Sequence, residues 1–153
     1  MKQWCRNIDH PICFIMEQCI PSLKIAIVDQ STSILLIDDD QGVLYTARMI
    51  LKQHYKKVET DNNPVTAFER LRKDRYDIIL LDMNFRQGAT SGEEGIDWLK
   101  RIRELQPEAQ VVMHTAYGDI DLAVESMREG AVDFLTKPWE KEKLLSTLNN
   151  ARN

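Results

Sequence analysis

Four short apolar runs, each stopping at a polar residue, constrain this chain more than any other feature. Ile34-Leu35-Leu36-Ile37 is followed at once by three carboxylates, Asp38, Asp39 and Asp40. Ile78-Ile79-Leu80-Leu81 ends in Asp82, Val111-Val112-Met113 leads to His114 and Thr115, and Val132-Asp133-Phe134-Leu135 leads to Thr136, Lys137 and Pro138. Short apolar runs without alternation suit strands buried on both faces, and such strands belong to parallel sheets covered by helices. All strands of a parallel sheet run the same way, so their polar ends share one edge and converge. A packed core has no use for an acid triplet, because an unpaired carboxylate taken out of water loses hydration that nothing apolar replaces.

The segments between the runs carry helical periodicity. Val43, Leu44, Ala47, Ile50 and Leu51 form one stripe after Asp40, and Ala67, Phe68 and Leu71 another, opened by Asn63 as N-cap and Pro64 in the first helical position. Ile96, Leu99, Ile102 and Leu105 give a third, ending before Pro107. Asp119 starts a fourth, with Leu122, Ala123 and Met127, which Gly130 closes. The last, from Trp139, carries Leu144, Leu145 and Leu148, and a short strand near Val58 completes the count. Five strands alternating with five helices predict an α/β fold, a doubly wound five-stranded parallel sheet. Right-handed crossovers favour the flavodoxin-like order 2-1-3-4-5, in which the first and third strands adjoin at the switch point. Asp38, Asp39 and Asp82 then sit at the carboxyl ends of those two strands, where ligands of such sheets bind.

The remaining bulk properties narrow the function classes. The 153 residues suffice for one domain with some extra chain, and a net charge of −4 argues against a nucleic-acid surface. No apolar run approaches the roughly 20 residues that a membrane helix needs. Cys5, Cys13 and Cys19 match neither a zinc pattern nor an even disulfide framework, and the rest of the chain has no cysteine, as suits a reducing cytoplasm. Lys2, Trp4, Arg6, Asp9 and Pro11 break up what would otherwise resemble a signal-peptide core. Lys24 to Asp29 competes for the part of first strand, but Gln-Ser-Thr-Ser after it reads as a turn, whereas 33–38 feeds a helix. Residues 1–32 are therefore expected to be a flexible or loosely docked extension, and 33–153 the folded domain.

Three acids in one crevice repel one another, and a hard divalent cation is the simplest resolution. Magnesium fits, since it accepts one to three protein oxygens while keeping waters and phosphate oxygens. A carboxylate there can attack phosphorus to give an acyl phosphate, with Lys137 and the Thr115 hydroxyl placed to meet the incoming anion.

Taken together, Leu-Ile-Asp38-Asp39-Asp40, Ile-Ile-Leu-Leu-Asp82, Thr115-Ala116 and Phe134-Leu-Thr-Lys137-Pro138 resemble the receiver domain of bacterial two-component response regulators (the CheY-like fold) over residues 33 to about 150. The separation 82 − 39 = 43 is typical of that family. The resemblance implies that Asp82 is the phospho-acceptor, charged from a phosphohistidine of a sensor histidine kinase. It also implies that Asp38 and Asp39 form the Mg²⁺-binding pair with Asp82, that the backbone carbonyl of Asn84 is a further metal ligand, and that Thr115 and Lys137 are the switch hydroxyl and the phosphate-pairing lysine. Phe134 occupies the aromatic switch position, and the Lys137-Pro138 bond is expected to be cis as in the family. A switch of this kind alters the face formed by the fourth helix, fifth strand and fifth helix, for homodimerisation or docking of a partner, with autodephosphorylation as its timer. Asp82-Met-Asn-Phe and Glu94-Gly95-Ile-Asp-Trp98-Leu further resemble receivers heading sigma-54-dependent transcriptional activators of the nitrogen-regulation type, whose ATPase and DNA-binding parts this chain does not contain.

Two positions depart from the family pattern. Arg86 stands where a proline four residues after the acceptor is usual, and the glycine usual about eight after it corresponds to Gly95, which makes the acceptor loop about five residues longer. The residues also leave other readings open. Asp40 alone reads as a first-turn acid, His114 as a satisfied structural histidine, Trp98 and Trp139 as packing residues, His54 as a surface residue, and Tyr117 either as a flank of the site or an exposed aromatic. A magnesium-dependent phosphatase using Asp82 would want a second acid two residues on, where Asn84 stands. A phosphorylation-independent interaction module and a flavin-binding protein of the same fold are weaker rivals.

Overall fold

The computed structural model describes residues 28–85, 92–116 and 119–152. Five strands, β1 (Asp29–Ile37), β2 (Tyr55–Asp61), β3 (Ile78–Asp82), β4 (Gln110–Ala116) and β5 (Asp133–Lys137), alternate with five helices. These are α1 (Gln41–Lys52), α2 (Pro64–Lys73), α3 (Glu93–Leu105), α4 (Ile120–Arg128) and α5 (Lys141–Arg152). The strands lie in the order β2-β1-β3-β4-β5 and every pairing is parallel, as predicted.

Strand alternation divides the core in two. Ile34, Leu36, Ile78, Leu80, Val112 and Leu135 face α1 and α5, meeting Leu44, Ala47, Leu51, Leu144 and Leu148. Leu35, Ile37, Ile79, Leu81, Val111 and Met113 face the other way, onto Ala67 and Leu71 of α2 and Ile96, Leu99 and Ile102 of α3. The runs of β1, β3 and β4 therefore lose water from both sides, which is why they show no polar alternation, whereas in the edge strand β5 only Leu135 is buried.

Local signals start and stop the helices. The Asp40 side chain accepts from the Gly42 and Val43 N–H groups, so it is the N-cap of α1 rather than an acid within its first turn. Asn63 caps α2 by accepting from Val65 N–H, with Pro64 at the first helical position. Asp119 occupies the N-cap position of α4 without a side-chain capping bond. Gly130, at φ +104°, takes the chain out of α4 in a conformation that L side chains rarely adopt.

Several boundaries differ from the sequence reading. β1 starts at Asp29, so the Gln-Ser-Thr-Ser segment is strand and not turn, and the folded chain begins ahead of position 33. The turn chemistry is nevertheless present: the Asp29 carboxylate accepts from Ser31 N–H at 2.8 Å, Thr32 N–H at 3.1 Å and the Thr32 hydroxyl at 2.6 Å. That local hydrogen bonding coincides with a register shift against β2 between Asp29 and Ser33, so the chain absorbs it as an irregularity inside the strand. β4 and β5 run on through Thr115 and Lys137, placing both residues within the sheet rather than after it. β2 spans seven residues instead of a short piece, and His54 lies in the turn after α1, where its carbonyl accepts from Asp29 N–H. The loop after Asp82, expected from Gly88 and Gly92 to run from Phe85 to Glu94, ends two residues earlier, since α3 starts at Glu93. The cysteines, Arg86, Gly88 and Tyr117 lie outside the described residues.

At Gly95, α3 packs directly against the backbone just after β3. A Cβ built there would lie 2.4 Å from the Met83 carbonyl oxygen, and Gly95 N–H donates to that oxygen at 3.0 Å. Replacing Gly95 with alanine should therefore lower stability by about 1–3 kcal/mol in denaturant unfolding, despite alanine's better helix propensity.

Candidate functional site

The parity of the strands decides which side chains meet at the carboxyl edge. Asp82 continues the Ile78, Leu80 side of β3 and lies in register with His114 of β4, which continues the Val112 side. Lys137 continues the Leu135 side of β5, and Asp38 follows Ile34 and Leu36 just beyond β1. All four side chains thus point to the face that α1 and α5 cover. Their contacts agree with that placement.

Lys137 Nζ lies 2.8 Å from Asp38 Oδ2 and 3.0 Å from Asp82 Oδ1. Asp38 and Asp82 are almost wholly buried, while the lysine remains partly exposed. Asp39, at the solvent side, completes the acid cluster: Asp38, Asp39 and Asp82 each offer a carboxylate oxygen, all within 4.8 Å of one another. Asp38 Oδ1 accepts from Asp40 N–H at 2.9 Å. Its Oδ2 has the Lys137 ammonium and His114 Nδ1, at 3.2 Å, as charged or polar neighbours but no aligned hydrogen bond. Thr115 lies on the opposite strand parity, buried, in register with Thr136 of β5, and its hydroxyl has no hydrogen-bond partner among the described residues. A buried hydroxyl left without a partner costs stability and is therefore a feature that asks for a ligand.

The titration behaviour follows from this crowding. Burial and the neighbouring Asp38 charge push the Asp82 carboxyl up to about 7, against the opposing pull of Lys137 and the Asn84 backbone N–H. Burial also works against ionisation of Asp38, but His114 and Lys137 outweigh it and hold that carboxyl below its ordinary value. Lys137 is held above its ordinary value, because the two carboxylates more than offset its desolvation. Burial lowers His114.

The cluster suits a hard cation. Its donors are all carboxylate oxygens, and the Asp38 oxygen lacking an aligned hydrogen bond faces the same space. Of the residues expected here from the sequence, Asp38, Asp39, Asp82 and Lys137 are brought together, and Thr115 lies one residue before the end of β4. The Asn84 side chain accepts from Gly92 N–H at 2.9 Å, closing the stem of the acceptor loop. Phe134 is 37% exposed on β5 and is not part of the cluster. His114 is the residue that sequence reasoning undervalued: it is indeed satisfied and buried, but its partners are Asp38 and Trp139. The signal available was a histidine interrupting a buried apolar strand one residue before Thr115.

Residues 34–149 match the family described as the response regulator receiver domain. The chain belongs to the response regulator receiver family. Among similar proteins, transcriptional regulatory protein ZraR of Klebsiella oxytoca is 33% identical over 122 residues, covering 80% of this chain and 26% of that protein. The chain thus spans about a quarter of the length of this curated relative. The N-terminal signal receiver domain of a two-component system response regulator from Bacteroides fragilis is 42% identical, with a TM-score of 0.71 over 82% of this chain and 98% of that one. The receiver domain of NtrX from Brucella abortus is 28% identical, also with a TM-score of 0.71, over 78% and 98% of the two chains. The Lys137–Pro138 peptide of this receiver is cis, as the resemblance implied.

Because the Asp82 carboxyl is raised above its unfolded value of about 3.9, the receiver's native state holds a proton that the unfolded chain has lost between pH 4 and 7. Its contribution to stability is complete below pH 4 and is lost as pH rises through about 7. Asp82→Asn should accordingly stabilise the metal-free protein at pH 8 by on the order of 3 kcal/mol, a gain that shrinks as pH falls toward 4. Chemical denaturation of both proteins at pH 4, 6 and 8 measures it.

Proposed function

We propose that this receiver is a phosphorylation-dependent switch in a two-component system, accepting a phosphoryl group on Asp82 from the phosphohistidine of a sensor histidine kinase. The observation that carries the reading is the Lys137 ammonium set between the buried Asp38 and Asp82 carboxylates, 2.8 and 3.0 Å away, at the edge where the Thr115 hydroxyl has no partner among the described residues. In the transfer, a carboxylate oxygen of Asp82 forms the new O–P bond as the N–P bond to the donor imidazole breaks, and the bonding pair returns to that nitrogen. Lys137 and the Thr115 hydroxyl then serve the oxygens of the arriving anion, one by charge and the other by donating a hydrogen bond.

Asp38, Asp39 and Asp82 would hold Mg²⁺, with the Asn84 backbone carbonyl as a further ligand. Bound there, the cation supplies neutralising charge for the transferring phosphoryl oxygens. Position 84 is an amide, whose side-chain oxygen accepts from Gly92 N–H, so it supplies no second acid of the kind a phosphatase of another class would use.

Output passes through the α4–β5–α5 face. Ile120, Val124 and Met127 of α4, Val132 just before β5 and Phe134 within it are exposed apolar side chains there. The face would serve homodimerisation or partner docking once Thr115 and Phe134 change position on phosphorylation. The relative named as a transcriptional regulatory protein supports a transcriptional output executed by parts other than this receiver, and the Asp82-Met-Asn-Phe and Glu94 to Leu99 segments support the sigma-54-dependent kind. No helix among the described residues is long and apolar enough to cross a membrane, in keeping with a cytoplasmic role.

Incubation with Mg²⁺ and acetyl phosphate, followed by intact mass, should show one added phosphoryl group. Asp82→Asn or a chelator should abolish it. Unchanged modification in Asp82→Asn would overturn the assignment of the acceptor.

A further inference from the structure

His114 and Trp139 stand behind the acid cluster, and their hydrogen bond fixes which nitrogen of the imidazole carries its proton. The Trp139 indole Nε1 can only donate, and it lies 2.8 Å from His114 Nε2, which must therefore accept. The proton of a neutral imidazole is then on Nδ1, the nitrogen 3.2 Å from Asp38 Oδ2. A doubly protonated ring would turn an N–H of its own against the indole N–H, so the geometry selects the neutral form. The ring is 1% exposed, and its strand is fixed beside β3, since its own carbonyl accepts from Met83 N–H at 2.9 Å.

From this arrangement we infer that His114 and Trp139 are positioning residues for the cation site, with Trp139 fixing the tautomer of His114 and His114 aiming the Asp38 carboxylate. This rests on the reading of Asp38 as a metal ligand. Asp38 is then flanked on two sides, by the Asp40 N–H hydrogen bond on Oδ1 and by His114 Nδ1 at 3.2 Å from Oδ2. Lys137 also touches Oδ2, but in the proposed switch it turns to the phosphoryl group, which leaves His114 as the side chain that stays beside that oxygen. A neutral donor suits that task, because it orients the carboxylate without bringing a second positive charge against the cation. The line of contacts runs from the segment preceding α5 to the end of β1, so it also links the site to the helix on its covered side.

The test uses the full chain and three variants. In ¹⁵N-labelled protein without metal, the long-range imidazole spectrum should show His114 protonated on Nδ1, and Trp139→Phe should release the ring to a mixture of tautomers. In calorimetric titrations with Mg²⁺ alone, Trp139→Phe should weaken binding by about threefold and His114→Leu by about tenfold. His114→Asn places an amide N–H at the Nδ1 position and should recover affinity to within about threefold of the wild type. A wild-type His114 protonated on Nε2, or unchanged Mg²⁺ affinity in both Trp139→Phe and His114→Leu, would overturn the positioning role. Wild-type protein that binds no Mg²⁺ would instead overturn the cation site itself, and this inference with it.

Discussion

Two carboxylates buried side by side share a single ammonium. Asp38 and Asp82 come from different strands, each almost fully removed from water, and Lys137 from a third strand reaches both. Without it, their mutual repulsion and lost hydration would cost several kcal/mol, which no packing nearby could offset. The order of the sheet is what allows one lysine to do this, since β1 and β3 are neighbours and β5 lies one strand beyond β4. The site is thus a product of topology before it is a product of any one motif. Even so the compensation is incomplete, and Asp82 retains a proton affinity far above that of an ordinary carboxylate.

Most of this was legible in the amino-acid sequence, for reasons that can be named. Strands buried on both faces leave continuous apolar runs, and a polar residue ending such a run is visible because nothing in the core explains it. That identified Asp38, Asp82, Thr115 and Lys137 together with the sheet order. Strand ends were less legible. Thr115 and Lys137 belong to β4 and β5 because the ladder between these strands continues through them, Thr115 opposite Thr136 and Ala116 opposite Lys137, which no periodicity signals. The Asp29 segment misled for the opposite reason: its side-chain hydrogen bonds are those of a turn, but pairing with β2 keeps the backbone extended.

His114 shows where such reading stops. A lone histidine in an apolar strand has an ordinary explanation, and the residues that make it something more, Asp38 and Trp139, lie far away in sequence. Only the sheet register, which puts His114 opposite Asp82, and the start of the last helical segment bring the three groups together. Interactions between distant positions remain hidden to any argument built on local pattern.

The acceptor loop carries a further consequence. Its two stems are stitched below the excursion, Asn84 to Gly92 by a side-chain hydrogen bond and Met83 to Gly95 by a backbone one. Chain length above those stitches is decoupled from the position of Asp82, since lengthening a closed excursion adds only a slowly growing entropy cost. The number of residues between Asn84 and Gly92 is therefore free to vary in evolution, because the bonds that set the ends of that stretch do not depend on it.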